Sequence, residues 1–174
     1  MSHNYYAEIH LHLVWHTKES RPLLVGELEK VAHAALRQRL LRTPGLFFHE
    51  LGGTENHVHL AVSVPPTLLV SAFVGDLKGA SSHHLNQVFS ARAERFAWQA
   101  GYGVVSFGTR NLKWVVDYIR DQKRHHAAGR TFDRLERTLS AEGEPAAESA
   151  APAGARRRPR HECRADTANP RKRG

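Results

Sequence analysis

The stretch from Gly52 to Pro66 leaves the chain few choices. Two glycines and a short polar step lead into His57-Val58-His59-Leu60-Ala61-Val62-Ser63-Val64, and Pro65-Pro66 ends the run. Proline lacks the N–H that a ladder needs, so a strand is expected to stop there. Successive side chains of a strand point to opposite faces. Val58, Leu60, Val62 and Val64 therefore face one side, and His57, His59, Ala61 and Ser63 the other. The spacing predicts a turn at Gly52-Gly53 and a strand behind it, anchored in a core by its aliphatic face. Two imidazoles two positions apart on one face can reach a single ion, and neutral imidazole is the commonest metal ligand. Two half-exposed histidines on a sheet face are the plain alternative. The pair by itself does not separate the two readings.

The flanking chain repeats such patterns. Tyr6 to His16 alternates, with Ala7, Ile9, Leu11, Leu13 and Trp15 opposite Tyr6, Glu8, His10, His12 and His16; only Val14 breaks the rule. Helical spacing follows over residues 26–41 (Leu28, Val31, Ala32, Ala35, Leu36, Leu40), and Thr43-Pro44-Gly45 stops it. A strand at 46–51 pairs with the histidine strand as a hairpin. A second helix at 68–89 buries Val70, Phe73, Val74, Leu77, Leu85 and Val88. A short strand at 103–106 precedes a third helix at 111–128, with Asn111 as its N-cap. The order predicts an α+β, ferredoxin-like (βαββαβ) sandwich with an additional helix. Two helices cover one sheet face, and the histidine face is left for function or for the last helix.

The net charge of +8 is concentrated at one end. Residues 151–174 hold eight of the 25 Lys and Arg residues against only Glu162 and Asp166. From residue 140 large apolar side chains nearly vanish, so the sequence predicts a domain over 1–139 and a disordered Arg-rich tail over 140–174. Such a tail is expected to add non-specific, salt-sensitive affinity for nucleic acid. Cys163 is the only cysteine, which excludes an internal disulfide and a thiolate zinc site. The sequence has no apolar run of the roughly 18 residues that span a bilayer and no signal-peptide pattern. The expected location is the cytoplasm, with no membrane partner.

The third helix carries Trp114, Tyr118 and Gln122 on one stripe, continued by His125 and His126. Packed on the histidine face, it brings a phenol and an amide oxygen toward His57 and His59. His57-Val58-His59 matches the signature of HUH endonucleases. Tyr118-Ile119-Arg120-Asp121-Gln122 resembles the nucleophile helix of the single-tyrosine transposases of small insertion sequences. Val14-Trp15-His16-Thr17-Lys18 and Leu77-Lys78-Gly79-Ala80-Ser81-Ser82 fit the same pattern. With His125-His126, the form looks most like the REP-associated tyrosine transposases, over about residues 5–139.

The resemblance implies a metal-dependent single-stranded DNA endonuclease and strand transferase. Tyr118 is then the nucleophile, forming a 5′-phosphotyrosine. His57, His59 and Gln122 hold a divalent metal, Mg²⁺ or Mn²⁺. Hairpin or palindromic single-stranded DNA is the expected partner, and a homodimer the expected assembly. Lys78, Ser81, Ser82, Arg110, Lys113, Arg120, Lys123 and Arg124 are candidates for phosphate contacts, and Trp98 and Tyr102 for base stacking. His10, His12, His125 and His126 are candidates for supporting the metal site or the DNA. The competing readings are a replication or conjugation nickase, a non-catalytic ferredoxin-like nucleic-acid-binding module, and an inactive descendant.

Overall fold

The computed structural model describes residues 6–138, so the tail over 140–174, with Cys163, lies outside the described residues. The strands β1 (His10–His16), β2 (Phe47–Gly53), β3 (His57–Ser63) and β4 (Gly103–Phe107) form one antiparallel sheet in the order β2-β3-β1-β4. This is the ferredoxin-like arrangement expected. The helices α1 (Gly26–Leu41) and α2 (Val70–Val88) cover the face that carries Leu11, Leu13, Trp15, Val58, Leu60 and Val62. Leu36, Leu40, Leu77 and Leu85 close that core with almost no exposed surface. Each fully buried leucine contributes about 1.5–3 kcal/mol.

The histidine face is covered as well. The helix α3 (Leu112–Arg120) lies on it through Val115 and Ile119, which meet Ala61 and Phe107. Gly52 makes this approach feasible, because a Cβ there would sit 2.4 Å from the Ile119 carbonyl oxygen.

Several expectations need correction. β1 starts at His10 rather than Tyr6, because its neighbours run out: His10 pairs with Ser63 on one side and Phe107 on the other. Gly52 and Gly53 end β2, and the chain turns at Thr54–Asn56, closed by the Thr54 N–H donating to the His57 carbonyl at 3.0 Å. The third helix is two. α3 ends at Asp121 (φ −95°, ψ 15°), and α4 (Gln122–Ala127) follows. Asn111 belongs to a 3₁₀ turn and makes no capping bond through its side chain. A short helix α5 (Asp133–Glu136), not anticipated from the pattern, follows α4. Beyond it, Arg137 passes so close to β4 that a Cβ on Gly103 would lie 2.0 Å from its carbonyl oxygen.

Candidate active site

β3 carries His57 and His59 on the face under α3, and both are buried. The Nδ1 of His57 lies 2.7 Å from Asn56 Oδ1 and 3.0 Å from Thr54 Oγ1. Donating its Nδ1–H to the amide oxygen leaves Nε2 as a bare lone pair. Burial, aided by His59, pulls the His57 imidazole down to about 2, so it is neutral near pH 7. His59 is held by a second imidazole: its Nδ1 lies 2.8 Å from His12 Nε2. Burial, again aided by His59, pulls His12 down to about 3.

One helical turn places Tyr118 and Gln122 above this pair, both buried, and the break at Asp121 leaves them on the same side. The Tyr118 ring is T-shaped to His59, with centroids 6.1 Å apart, and is stacked between Trp114 at 5.6 Å and His125 at 4.9 Å. Its oxygen accepts from the Phe132 N–H at 2.9 Å, and its hydroxyl donates to Glu136. Burial and the Glu136 carboxylate together raise the Tyr118 pKa.

Glu136 was not among the residues read from the sequence. One of its oxygens, Oε2, lies 3.5 Å from His57 Nε2, 3.2 Å from His59 Nε2 and 3.4 Å from His126 Nε2. The other oxygen takes the Tyr118 hydroxyl and lies 3.4 Å from Gln122 Nε2. Burial pushes the carboxyl up, but the neighbouring His126 and His59 rings and the Tyr118 hydroxyl outweigh it, and Glu136 stays ionised. A four-residue helix with no repeating pattern gives no periodic signal, so only its acidic side chain hinted at a role.

The residues present fit a metal ion. Among the described residues five buried polar side-chain atoms have no hydrogen-bond partner; His12 Nδ1 and Trp15 Nε1 lie apart, and the other three, His57 Nε2, His59 Nε2 and Gln122 Oε1, share this site. An unpaired buried polar group costs about 1–3 kcal/mol, so three at one place call for a shared partner. One ligand atom each from His57, His59, His126 and Glu136 lie within 4.8 Å of one another. Two atoms bonded to one ion at about 2.0–2.2 Å are at most about 4.4 Å apart, so a small contraction of the cluster would seat an ion.

The sequence family described as "Transposase IS200 like" matches residues 5–122. The chain belongs to the IS200-like transposase family. The transposase for insertion sequence element IS200 of Salmonella typhimurium (strain LT2) is 30% identical over 115 residues, which is 64% of this chain and 74% of that protein. The ISDra2 transposase TnpA of Deinococcus radiodurans is 26% identical over 68% of this chain and 86% of its own length. A crystal structure of a Deinococcus radiodurans R1 protein assigned as a transposase superposes with a TM-score of 0.56 at 25% identity, covering 70% of this chain and 96% of that one. The REP-associated tyrosine transposase, solved bound to a REP hairpin, shares the fold with a TM-score of 0.52 at 15% identity over 75% of each chain.

The remaining candidates of this transposase fall in several places. His12 touches His59, and His126 and His125 join the site. His10 lies at the far end of β1, bonded to Ser63 Oγ at 2.7 Å and Thr109 Oγ1 at 3.0 Å. Arg120, Lys123 and Arg124 line a 410 Å³ cleft beside α3 and α4, where they pair with Glu50, Glu29 and Asp121. Lys113 is exposed and paired with Asp117, and Arg110 is exposed.

Lys78, Ser82 and Tyr102 share a second cleft, of 370 Å³. There the Lys78 ammonium donates to the carbonyls of Gln99, Ala100 and Gly101. Burial pulls it down to about 8. Ser81 is turned into the core and accepts the Trp98 indole N–H at 2.9 Å. Trp98 is buried too, so it is not free to stack on a base, contrary to the sequence reading. Among the described residues no helix is long and apolar enough to cross a membrane.

Proposed function

We propose that this transposase cuts and rejoins single-stranded DNA through a covalent 5′-phosphotyrosine at Tyr118. The observation that carries the reading is the convergence of the Tyr118 hydroxyl with the unpartnered atoms of His57, His59 and Gln122. A bound divalent ion there screens the charge of the scissile phosphate and of its transition state. His57, His59 and Gln122 would hold it with two nitrogens and one oxygen, a set that suits Mn²⁺ or Mg²⁺, with Mn²⁺ the more tolerant of imidazole. His12 and Asn56 fix the ring orientations of the two histidines. Tyr118 attacks phosphorus and the 3′-oxygen departs, so the phosphodiester energy is kept for rejoining.

Hairpin or palindromic DNA is the substrate class this reading assigns, since the REP-associated relative of the same fold was solved on a REP hairpin. The exposed cations of α3 and α4 are its proposed phosphate contacts. Assembly as a homodimer rests on the family resemblance; Tyr118 already meets the histidine pair within one chain. A binding module that displays aromatics on its central strands fits less well, because β1 and β3 are covered on both faces.

The test uses a 3′-labelled single strand that folds into an imperfect hairpin, drawn from the DNA flanking the gene. A covalent adduct is expected on a denaturing gel with Mn²⁺, abolished by chelation and by Tyr118→Phe. Adduct formation by Tyr118→Phe at the wild-type rate refutes the assignment.

A further inference from the structure

Glu136 lies beyond the segment that the family description matches, residues 5–122, and its position is nonetheless built. Leu135 beside it is buried, the Phe132 N–H binds the Tyr118 oxygen, and Gly103 admits the Arg137 backbone against β4. The Glu136 side chain is only 18% exposed.

We propose that Glu136 joins the metal to the nucleophile. Its Oε2 is a metal ligand beside His57, His59 and His126, and its Oε1 accepts the proton of Tyr118. The inference rests on the strand-transfer reading above and supplies the proton acceptor that reading lacks. Oε2 faces three imidazole nitrogens at 3.2–3.5 Å. The His57 ring proton sits on Nδ1, which lies 2.7 Å from Asn56 Oδ1, so its Nε2 turns a lone pair toward the carboxylate. Two lone pairs facing each other repel, and a cation between them reverses the sign of the interaction. The hydrogen bond from Tyr118 reaches the other oxygen, so one carboxylate serves both partners without moving.

In the step itself, the Tyr118 oxygen forms a bond to phosphorus and the bond from phosphorus to the 3′-oxygen breaks. The phenolic proton passes to Glu136 Oε1, and the departing 3′-oxygen takes a proton from solvent. A carboxylate is a weak base toward a free phenol, whose pKa is about 10. The transfer becomes favourable as the O–P bond forms and the phenolic oxygen loses its affinity for the proton.

Glu136→Gln keeps the volume and removes the charge. Mn²⁺ titration of the full chain by calorimetry reads the ligand role, and single-turnover adduct formation on the 3′-labelled strand reads the proton role. The expected results are about tenfold or greater loss of Mn²⁺ affinity and about 10²-fold or greater loss of adduct rate, with the variant still folded at the assay temperature. Glu136→Asp should recover part of both. Wild-type Mn²⁺ affinity in Glu136→Gln overturns the ligand role, and a wild-type adduct rate overturns the proton role. If the wild-type chain forms no Tyr118-dependent adduct, the strand-transfer reading fails instead, and the Mn²⁺ titration still decides whether Glu136 is a ligand.

Discussion

Substituting Gly103 by alanine should damage the proposed metal site without touching any residue in it. An added Cβ would lie 2.0 Å from the Arg137 carbonyl oxygen and 2.9 Å from Val14 Cγ1. The closest comfortable carbon–oxygen approach is about 3.3 Å, so the Arg137 backbone must retreat by roughly 1.3 Å. Val14 is packed in the sheet and cannot give way as far. Glu136 precedes Arg137 directly, and metal ligands tolerate displacements of only about 0.2 Å. Overpacking of this kind costs about 1–3 kcal/mol, roughly 3–5 °C of melting temperature per kcal/mol for a unit of this size.

The assay pairs a thermal melt with Mn²⁺ calorimetry on the folded variant at 25 °C, where a lower melting point alone leaves affinity intact. Mn²⁺ affinity should fall about tenfold or more. Gly75→Ala is the control. It sits inside α2 with nothing within 4 Å of an added Cβ, and the change should stabilise the chain by about 0.5–1 kcal/mol. A Gly103→Ala chain that melts and binds Mn²⁺ like the wild type refutes the account of how the C-terminal segment is seated.

Two further outcomes follow from the histidines. His12→Ala should weaken Mn²⁺ binding about 10–100-fold by freeing the His59 ring, whereas His10→Ala, whose ring bonds Ser63 and Thr109 instead, should leave it within error; equal effects in calorimetry would remove the distinction. Stability of the metal-free chain should fall on acidification. His57 and His12 titrate near 6.5 when unfolded, but burial lowers them to about 2 and about 3 in the fold. The unfolded chain therefore binds more protons below pH 6.5, and the stability present above that value is lost as pH falls toward the folded values. The depressed Glu136 carboxyl adds loss of the same sign below its ordinary range near pH 4.5. Each histidine contributes a slope of up to about 1.4 kcal/mol per pH unit; urea midpoints that stay flat from pH 7 to pH 5 would contradict the burial.

Local periodicity carried much of the site. Alternation put His57 and His59 on one face because a strand repeats every two residues, and helical spacing put Gln122 one turn from Tyr118. These relations need no knowledge of distant residues. The turn was misplaced because Gly52 looks like a local bend, while its missing side chain answers to Ile119, far along the sequence. Trp98 looked free to stack, yet its indole N–H is taken by Ser81 on α2. The placement of Glu136 is the extreme case. A single acid in a four-residue helix has no period to betray it. Only the close pass of Arg137 over Gly103 and the bond from Phe132 to Tyr118 carry it to the histidines. Spacing along the chain decides which side chains share a face, but which faces meet is set by long-range packing, and there the site is completed.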